Sequence, residues 1–215
     1  MESFVTLVEK NGISQFLRKY TKMAIRPSGN SFLLIEGKFD FSAQKEGIEP
    51  ITDCYDIQIS FPNKFPRELP TVYETAGRIP RKGEYHVNSD GSLCLGSPIR
   101  LLMKLSHTPT YLGFARECIV PYLFSISYKF KYGEFPFGEL PHGTPGELAD
   151  YANLFGLKSI EQSQVAVKYL GMKKRHANKL PCPCGCGRRL GNCSFNNRLK
   201  EFRLLAERGW FRSLL

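Results

Sequence analysis

The chain has 215 residues, 42% hydrophobic and 23% charged, which excludes a disordered or fibrous protein. No apolar run reaches the roughly 18 residues a membrane helix needs. The opening MESFV lacks the basic-then-apolar plan of a signal peptide, so a cytoplasmic protein without a membrane partner is expected. The net charge of +10 is uneven: residues 1–157 hold 17 Lys/Arg and 17 Asp/Glu, residues 158–215 hold 13 and 3. Charge thus divides the chain into a balanced domain, 1–157, and a basic tail, 158–215.

Phe4, Leu7, Val8, Ile13, Phe16, Leu17 and Tyr20 carry a helical pattern interrupted at Asn11-Gly12. A turn at Pro27 to Asn30 precedes a strand from Ser31 to Phe41. Ile51 to Phe61 alternates at Tyr55, Ile57, Ile59 and Phe61, as a half-buried antiparallel strand does, and Thr71 to Thr75 is a third short strand. From Ile79 to Pro98 the pattern fails, which predicts a long loop of functional interest. Thr110 to Tyr128 is apolar enough for a buried helix, with a kink or break at Pro121. Thr144-Pro145-Gly146-Glu147 and Ser159-Ile160-Glu161-Gln162 are capping boxes, the second opening a helix closed by Gly171. Asn196 or Asn197 is expected to cap a last helix ending at Gly209. One helix, three or four strands, a long loop and further helices define an α+β fold.

The loop ends in His86-Val87-Asn88-Ser89-Asp90-Gly91-Ser92-Leu93-Cys94-Leu95. A cysteine at the end of an irregular loop meets the exposure requirement of a thiol nucleophile, and an amide such as Asn88 is suited to donate to an oxyanion. The competing reading makes Cys94 a small packing residue and His86 and Asn88 satisfiers of loop backbone groups. Cys54, in a strand, and Cys118, in an apolar helix, read as packing residues.

Ile59-Ser60-Phe61-Pro62-Asn63-Lys64-Phe65-Pro66-Arg67-Glu68-Leu69-Pro70-Thr71-Val72 resembles the proline-rich segment of ubiquitin-conjugating enzymes, and the His86-x-Asn88 followed by Gly91-x-Leu93-Cys94-Leu95 is similar to that family's active-site loop. The resemblance covers about residues 1–130. It implies the UBC-like fold: an N-terminal helix, a four-stranded antiparallel meander and C-terminal helices. It also implies a function: Cys94 accepts the C-terminal glycine of a ubiquitin-like or other protein from an activating enzyme as a thioester, then passes it to an amine such as a target lysine. Asn88 and His86 carry over as catalytic-loop residues. The eukaryotic family has proline where this chain has Val87, and eight positions separate its asparagine and cysteine where here there are six. Gly133 to Glu147 is similar to the segment after the catalytic domain in bacterial ubiquitin-conjugating-like proteins associated with antiphage defence. Glu139 and His142 there are expected to shape a turn, with His142 as base or gate the less favoured reading. A catalytically silent relative, using the sheet and loop to hold a protein tail, is the alternative.

Cys182, Cys184, Cys186 and Cys193 fall within twelve residues, and small residues between them let several thiolates converge on one tetrahedral ion. Such an ion would stabilise a piece too short for its own core. The segment 176–195 resembles the SEC-C zinc motif, which implies a structural Zn2+; the family's residue after the last cysteine is Ser194 here, leaving Cys186 or His176 as fourth ligand. The surrounding cations make nucleic acid an alternative partner, but Phe195, Phe202 and Trp210 read as the small core and docking face of a helix, which favours an acidic protein.

Overall fold

The computed structural model describes residues 8–28, 32–136 and 143–215. Four strands make one antiparallel meander in chain order: β1 (Met23–Arg26), β2 (Phe32–Ala43), β3 (Ile51–Pro62) and β4 (Thr71–Glu74). β2 and β3 pair along all twelve residues, from Phe32 opposite Pro62 to Ala43 opposite Ile51. Alternation decides their faces: Leu33, Ile35, Phe39, Phe41, Tyr55, Ile57, Ile59 and Phe61 are buried, while Lys22 with Asp40 and Lys38 with Asp56 pair on the polar side. β1 is absent from the sequence expectation because only Met23 of its four residues is buried, so no alternation announces it. It closes on β2 at Gly37, where a Cβ would stand 2.2 Å from the Lys22 carbonyl oxygen.

Contacts separate two compact units, Met1–Gly96 with Lys104–Glu139, and Ser97–Met103 with Leu140–Leu215. In the first, α1 (Ile13–Lys19) follows Gly12, whose φ of 81° forms the expected break. A helix α2 (Pro98–His107), which the sequence reading leaves out, starts in the second unit and ends in the first. Next come α3 (Tyr111–Phe114), a π-helical turn (Ala115–Ile119) and α4 (Val120–Tyr132), without a break. Proline at 121 has no N–H for the Glu117 carbonyl, and Lys104 Nζ donates to that carbonyl at 2.8 Å instead. The chain therefore stays helical through Pro121 without a break, and the local distortion takes the form of the π-helical turn just before it. α4 packs on β2 and β3, and Phe61, Phe65, Tyr111 and Phe114 form a ring cluster with centroids 4.5 to 6.5 Å apart.

The second unit contains α5 (Gly143–Phe155), α6 (Ile160–Gly171), α7 (Lys174–Ala177), α8 (Phe195–Phe202) and α9 (Arg208–Arg212). The charge boundary at 157 and the packing boundary differ: α5, electrically part of the balanced stretch, buries Leu148, Tyr151 and Phe155 within the second unit. Ser163 Oγ donates to the Leu148 carbonyl at 2.9 Å, and Phe155 meets Phe202 edge-on at 4.7 Å. With Val167, Leu170, Leu199, Phe202 and Phe211 also buried, this unit has a core of its own that extends well beyond the cysteine segment.

Ser159 caps α6 by accepting from Gln162 N at 3.3 Å, and the Gln162 side chain returns to Lys158 N at 2.8 Å. Gly171 is the last helical residue and has no left-handed backbone; it is small because a Cβ would stand 2.7 Å from Arg212 Cγ of α9. Two arginines near α8 close helix ends: Arg198 donates twice to the Leu154 carbonyl, at 3.2 and 2.8 Å, and Arg203 to the Tyr169 carbonyl at 2.9 Å. Each places a cation at the negative end of a helix dipole. The last helix starts at Phe195, after Ser194, and ends at Phe202; a separate turn of helix follows at 208–212, in place of one helix to Gly209. Among the described residues no helix is long and apolar enough to cross a membrane.

Candidate functional site

The irregular stretch after β4 is built outward from the sheet edge. Glu74 turns the chain by accepting from Ala76 N (3.0 Å) and Ile79 N (3.2 Å). Arg78 then reaches back over the Tyr55 ring, 4.3 Å to the centroid, and grips Asp53 with both terminal nitrogens at 2.7 and 2.8 Å. Burial pushes the Asp53 carboxyl up, but hydrogen bonds from Arg78, Ser127 Oγ (2.7 Å) and Cys54 N (2.8 Å) hold it below the usual carboxylate range. The loop base is therefore anchored on a charged network rather than hanging free.

Residues 86–94 form a tight hairpin within this loop. Cys94 N donates to the His86 carbonyl at 2.8 Å, Val87 opposes Leu93, and Asn88 N donates to the Ser92 carbonyl at 2.9 Å. The turn closes by Gly91 N on the Asn88 carbonyl, with Gly91 at φ 84°, which favours glycine. The hairpin joins β4 through Leu93 N on the Val72 carbonyl (2.8 Å) and a bridge between Tyr73 and Ser92. Val87 and Leu93 are buried; alternation along the ladder puts Asn88, Ser92 and Cys94 on the other face. Cys94 is half-buried at the end of the ladder.

Asn88 and His86 take specific places here. The Asn88 amide donates to Ser92 Oγ at 3.0 Å, and Ser92 Oγ in turn donates to Asp90 at 2.6 Å, so Asn88 braces the turn. The six-residue spacing to the cysteine is the length this four-residue turn requires. His86 adopts φ 54°, its carbonyl fixes the Cys94 amide, and its ring lies edge-on to Phe135 at 5.2 Å. Three residues absent from the sequence reading frame the hairpin: Tyr122 donates to the Tyr85 carbonyl (2.9 Å), Lys129 to the Glu84 carbonyl (2.8 Å), and Lys129 Nζ stands 4.3 Å from the Phe135 ring. Burial pushes the Tyr122 phenol up and keeps it a neutral donor. Nothing local in the sequence announces the two hydrogen bonds, since they join residues 37 and 45 positions apart. Cys54 lies in β3 and Cys118 is buried in the π-turn, its thiol pushed up to about 11 by burial. Glu139 and His142 lie outside the described residues.

The second cluster lies in the second unit. Pro181 opposes Arg189, Cys182 N donates to the Arg188 carbonyl (2.8 Å) and Leu190 N to the Leu180 carbonyl (2.8 Å), which makes a two-stranded knuckle. Gly185 at φ 78° and Gly187 at φ 73° reverse the chain between the cysteines and relieve the crowding that three alternating ligands would otherwise cause. The sulfurs of Cys182, Cys184, Cys186 and Cys193 all lie within 4.8 Å of one another. Adjacent pairs are separated by 3.2 Å (182 to 184), 3.7 Å (184 to 193) and 3.6 Å (186 to 193). A tetrahedral ion with metal–sulfur bonds of about 2.3 Å needs edges of about 3.8 Å, so the four residues fit a metal ion with little movement. His176, the reserve ligand, is exposed on α7 and is not part of the group. Burial pushes the Cys182 and Cys184 thiols up, whereas the backbone N–H and then the guanidinium of Arg188 hold Cys186 down to about 6.

No known protein family, curated protein or solved structure matches the chain.

Proposed function

We propose that the chain is a UBC-like acyl carrier and transferase, as its sequence motifs imply, with Cys94 as the nucleophile. In this reading the Cys94 thiolate attacks the C-terminal glycine carbonyl of a ubiquitin-like or other protein, the bond from that carbonyl to the activating enzyme's carrier group breaks, and that group leaves. The thioester carbonyl then passes to a target lysine amine, and the thiolate leaves. The observation that supports it is the placement of Cys94: half-buried, its amide locked to His86, at the end of a hairpin fastened to the edge of a four-stranded meander. Asn88 then acts as a brace that holds the loop, and His86 as the residue that fixes the backbone beside the sulfur. A cytoplasmic role in bacterial antiphage defence belongs to the same reading. The metal is proposed to be zinc, because four thiolates suit a soft or borderline ion and a closed ligand set leaves no position for chemistry.

The test is incubation with an activating enzyme, ATP and a glycine-tailed carrier, followed by non-reducing electrophoresis. The expected product is a thiol-labile adduct that disappears in Cys94→Ala and becomes thiol-resistant in Cys94→Ser. An adduct of undiminished amount in Cys94→Ala refutes the assignment.

A further inference from the structure

The tail's basic residues divide into those with a structural task and those without one. Arg198 and Arg203 close the ends of α5 and α6, Arg212 packs over Gly171, and Arg188 is hydrogen-bonded to Cys186. Lys173, Lys174, Arg175, Lys179 and Arg189 are exposed, and among the described residues none of the five pairs with a carboxylate. No acidic residue occurs between positions 162 and 200 to supply one.

The knuckle gathers these five. Gly191 N donates to the Asn178 carbonyl (3.0 Å) and Leu190 N to the Leu180 carbonyl (2.8 Å), which holds the end of α7 beside the second strand of the knuckle. Arg189 opposes Pro181, two residues beyond Lys179, so Arg189 and Lys179 lie on adjoining segments. Lys173, Lys174 and Arg175 lie within about two turns of Lys179 along the chain. A protein partner would need apolar anchors at the centre of such a surface. Here Ala177, Leu190, Phe195 and Phe202 are buried; of the three aromatic residues expected to form a small core and docking face, the two phenylalanines are core and Trp210 is half-buried, so no large apolar side chain stands fully exposed among the five cations. Single-stranded nucleic acid and most RNA readers stack bases on several exposed aromatic planes, whereas no Phe, Tyr or Trp occurs from 170 to 194 and the exposed His176 is the one aromatic ring in that stretch.

We propose that this surface binds the phosphate backbone of double-stranded DNA without reading its sequence. Five cations give a slope of log K against log salt of about −4.5, or an affinity loss of about 500-fold between 50 and 200 mM salt. The experiment is fluorescence anisotropy of the full chain with a labelled DNA duplex of mixed sequence. The triple variant K174Q/R175Q/K179Q is expected to flatten the slope by about 2.7, leaving a loss of about 12-fold over the same range. Lys64→Gln, in the other unit and paired with Glu68, leaves the slope unchanged. Metal content and circular dichroism of the triple variant equal to the parent's show that folding is intact. The proposal is overturned if the duplex does not bind at 50 mM salt, or if the correctly folded triple variant keeps the parental slope. Tighter binding of single-stranded DNA, duplex RNA or polyglutamate than of duplex DNA overturns it as well, and the last of these identifies an acidic protein partner.

Discussion

Replacing Cys193 by serine tests the metal cluster most sharply, because the four sulfurs are not equivalent in their surroundings. Cys193 is 8% exposed and follows the 3-10 turn Leu190–Asn192, immediately before Ser194 and α8. Cys186 is exposed, on a turn flanked by two glycines. Structural zinc sites bind with roughly 10–16 kcal/mol, so one ligand of four accounts for about 2.5–4 kcal/mol, or a 100- to 1000-fold loss of affinity. Cys193→Ser is expected to lose at least that much, whereas Cys186→Ser loses less because water can take the vacated position on the exposed side. Competition with a chromophoric chelator, read alongside metal content by mass spectrometry, measures both. Because the second unit buries Tyr151, Phe155, Val167, Leu170 and Phe211 independently of the knuckle, removing the metal should expose amides of 180–193 to hydrogen exchange. Far-UV dichroism should change little. Unchanged affinity in Cys193→Ser refutes the ligand assignment; loss of all helical signal on chelation refutes the independence of the core.

Three further predictions concern what holds the sites in place. Asp53 is held below its unfolded pKa of about 3.9, so its contribution is present above that value and is lost as pH falls through the lower folded pKa. Allowing for solvent screening, Asp53→Asn should cost about 1 kcal/mol near pH 6, with the gap to the parent narrowing below about pH 4 in denaturant titrations; a gap constant down to pH 2.5 contradicts this. Arg198→Ala removes both donors from the Leu154 carbonyl at the end of α5, and should lower stability by about 1 kcal/mol, read as a fall of roughly 2–4 °C in Tm. Gly113→Ala drives a Cβ to 2.3 Å from the Thr108 carbonyl oxygen and should cost about 2–3 kcal/mol, while Gly83→Ala, with nothing within 4 Å, should stay within about 0.5 kcal/mol; equal effects would show that the close approach is not maintained.

The parts of the fold legible in the sequence are those with a period. β2 and β3 are found within two residues of their ends because their buried residues alternate over twelve positions. β1 escapes because it buries one residue in four, and α2 because it follows directly on a stretch dominated by Pro, Gly, Asn and Ser. The four clustered cysteines, which could hold a metal ion, are legible from their proximity in the chain, although the glycine turns that let Cys186 join the others show only in the backbone. Around Cys94 the hairpin itself is not legible: its rungs depend on pairings between 86–88 and 92–94 and on the edge of β4, which a run of turn-forming residues conceals. The same holds for α5, whose neutral composition assigns it to the wrong neighbour, since burial and not charge decides which helices pack together.

The hairpin's attachment to β4 gives the Cys94 sulfur a dependence on strand register. Leu93 hangs from Val72 and Ser92 from Tyr73, while β4 is itself indexed on β3 by four pairs, from Ile57 opposite Glu74 to Ser60 opposite Thr71. A slip of one residue between β3 and β4 would exchange the faces of every following residue, turning Leu93 outward and Cys94 into the core. The proline-rich connection 63–70 therefore acts as a ruler as well as a link. An insertion there that shifts β4 moves the Cys94 sulfur without touching it, whereas an insertion beyond Leu95, which lies outside this chain of pairings, leaves the sulfur where it is.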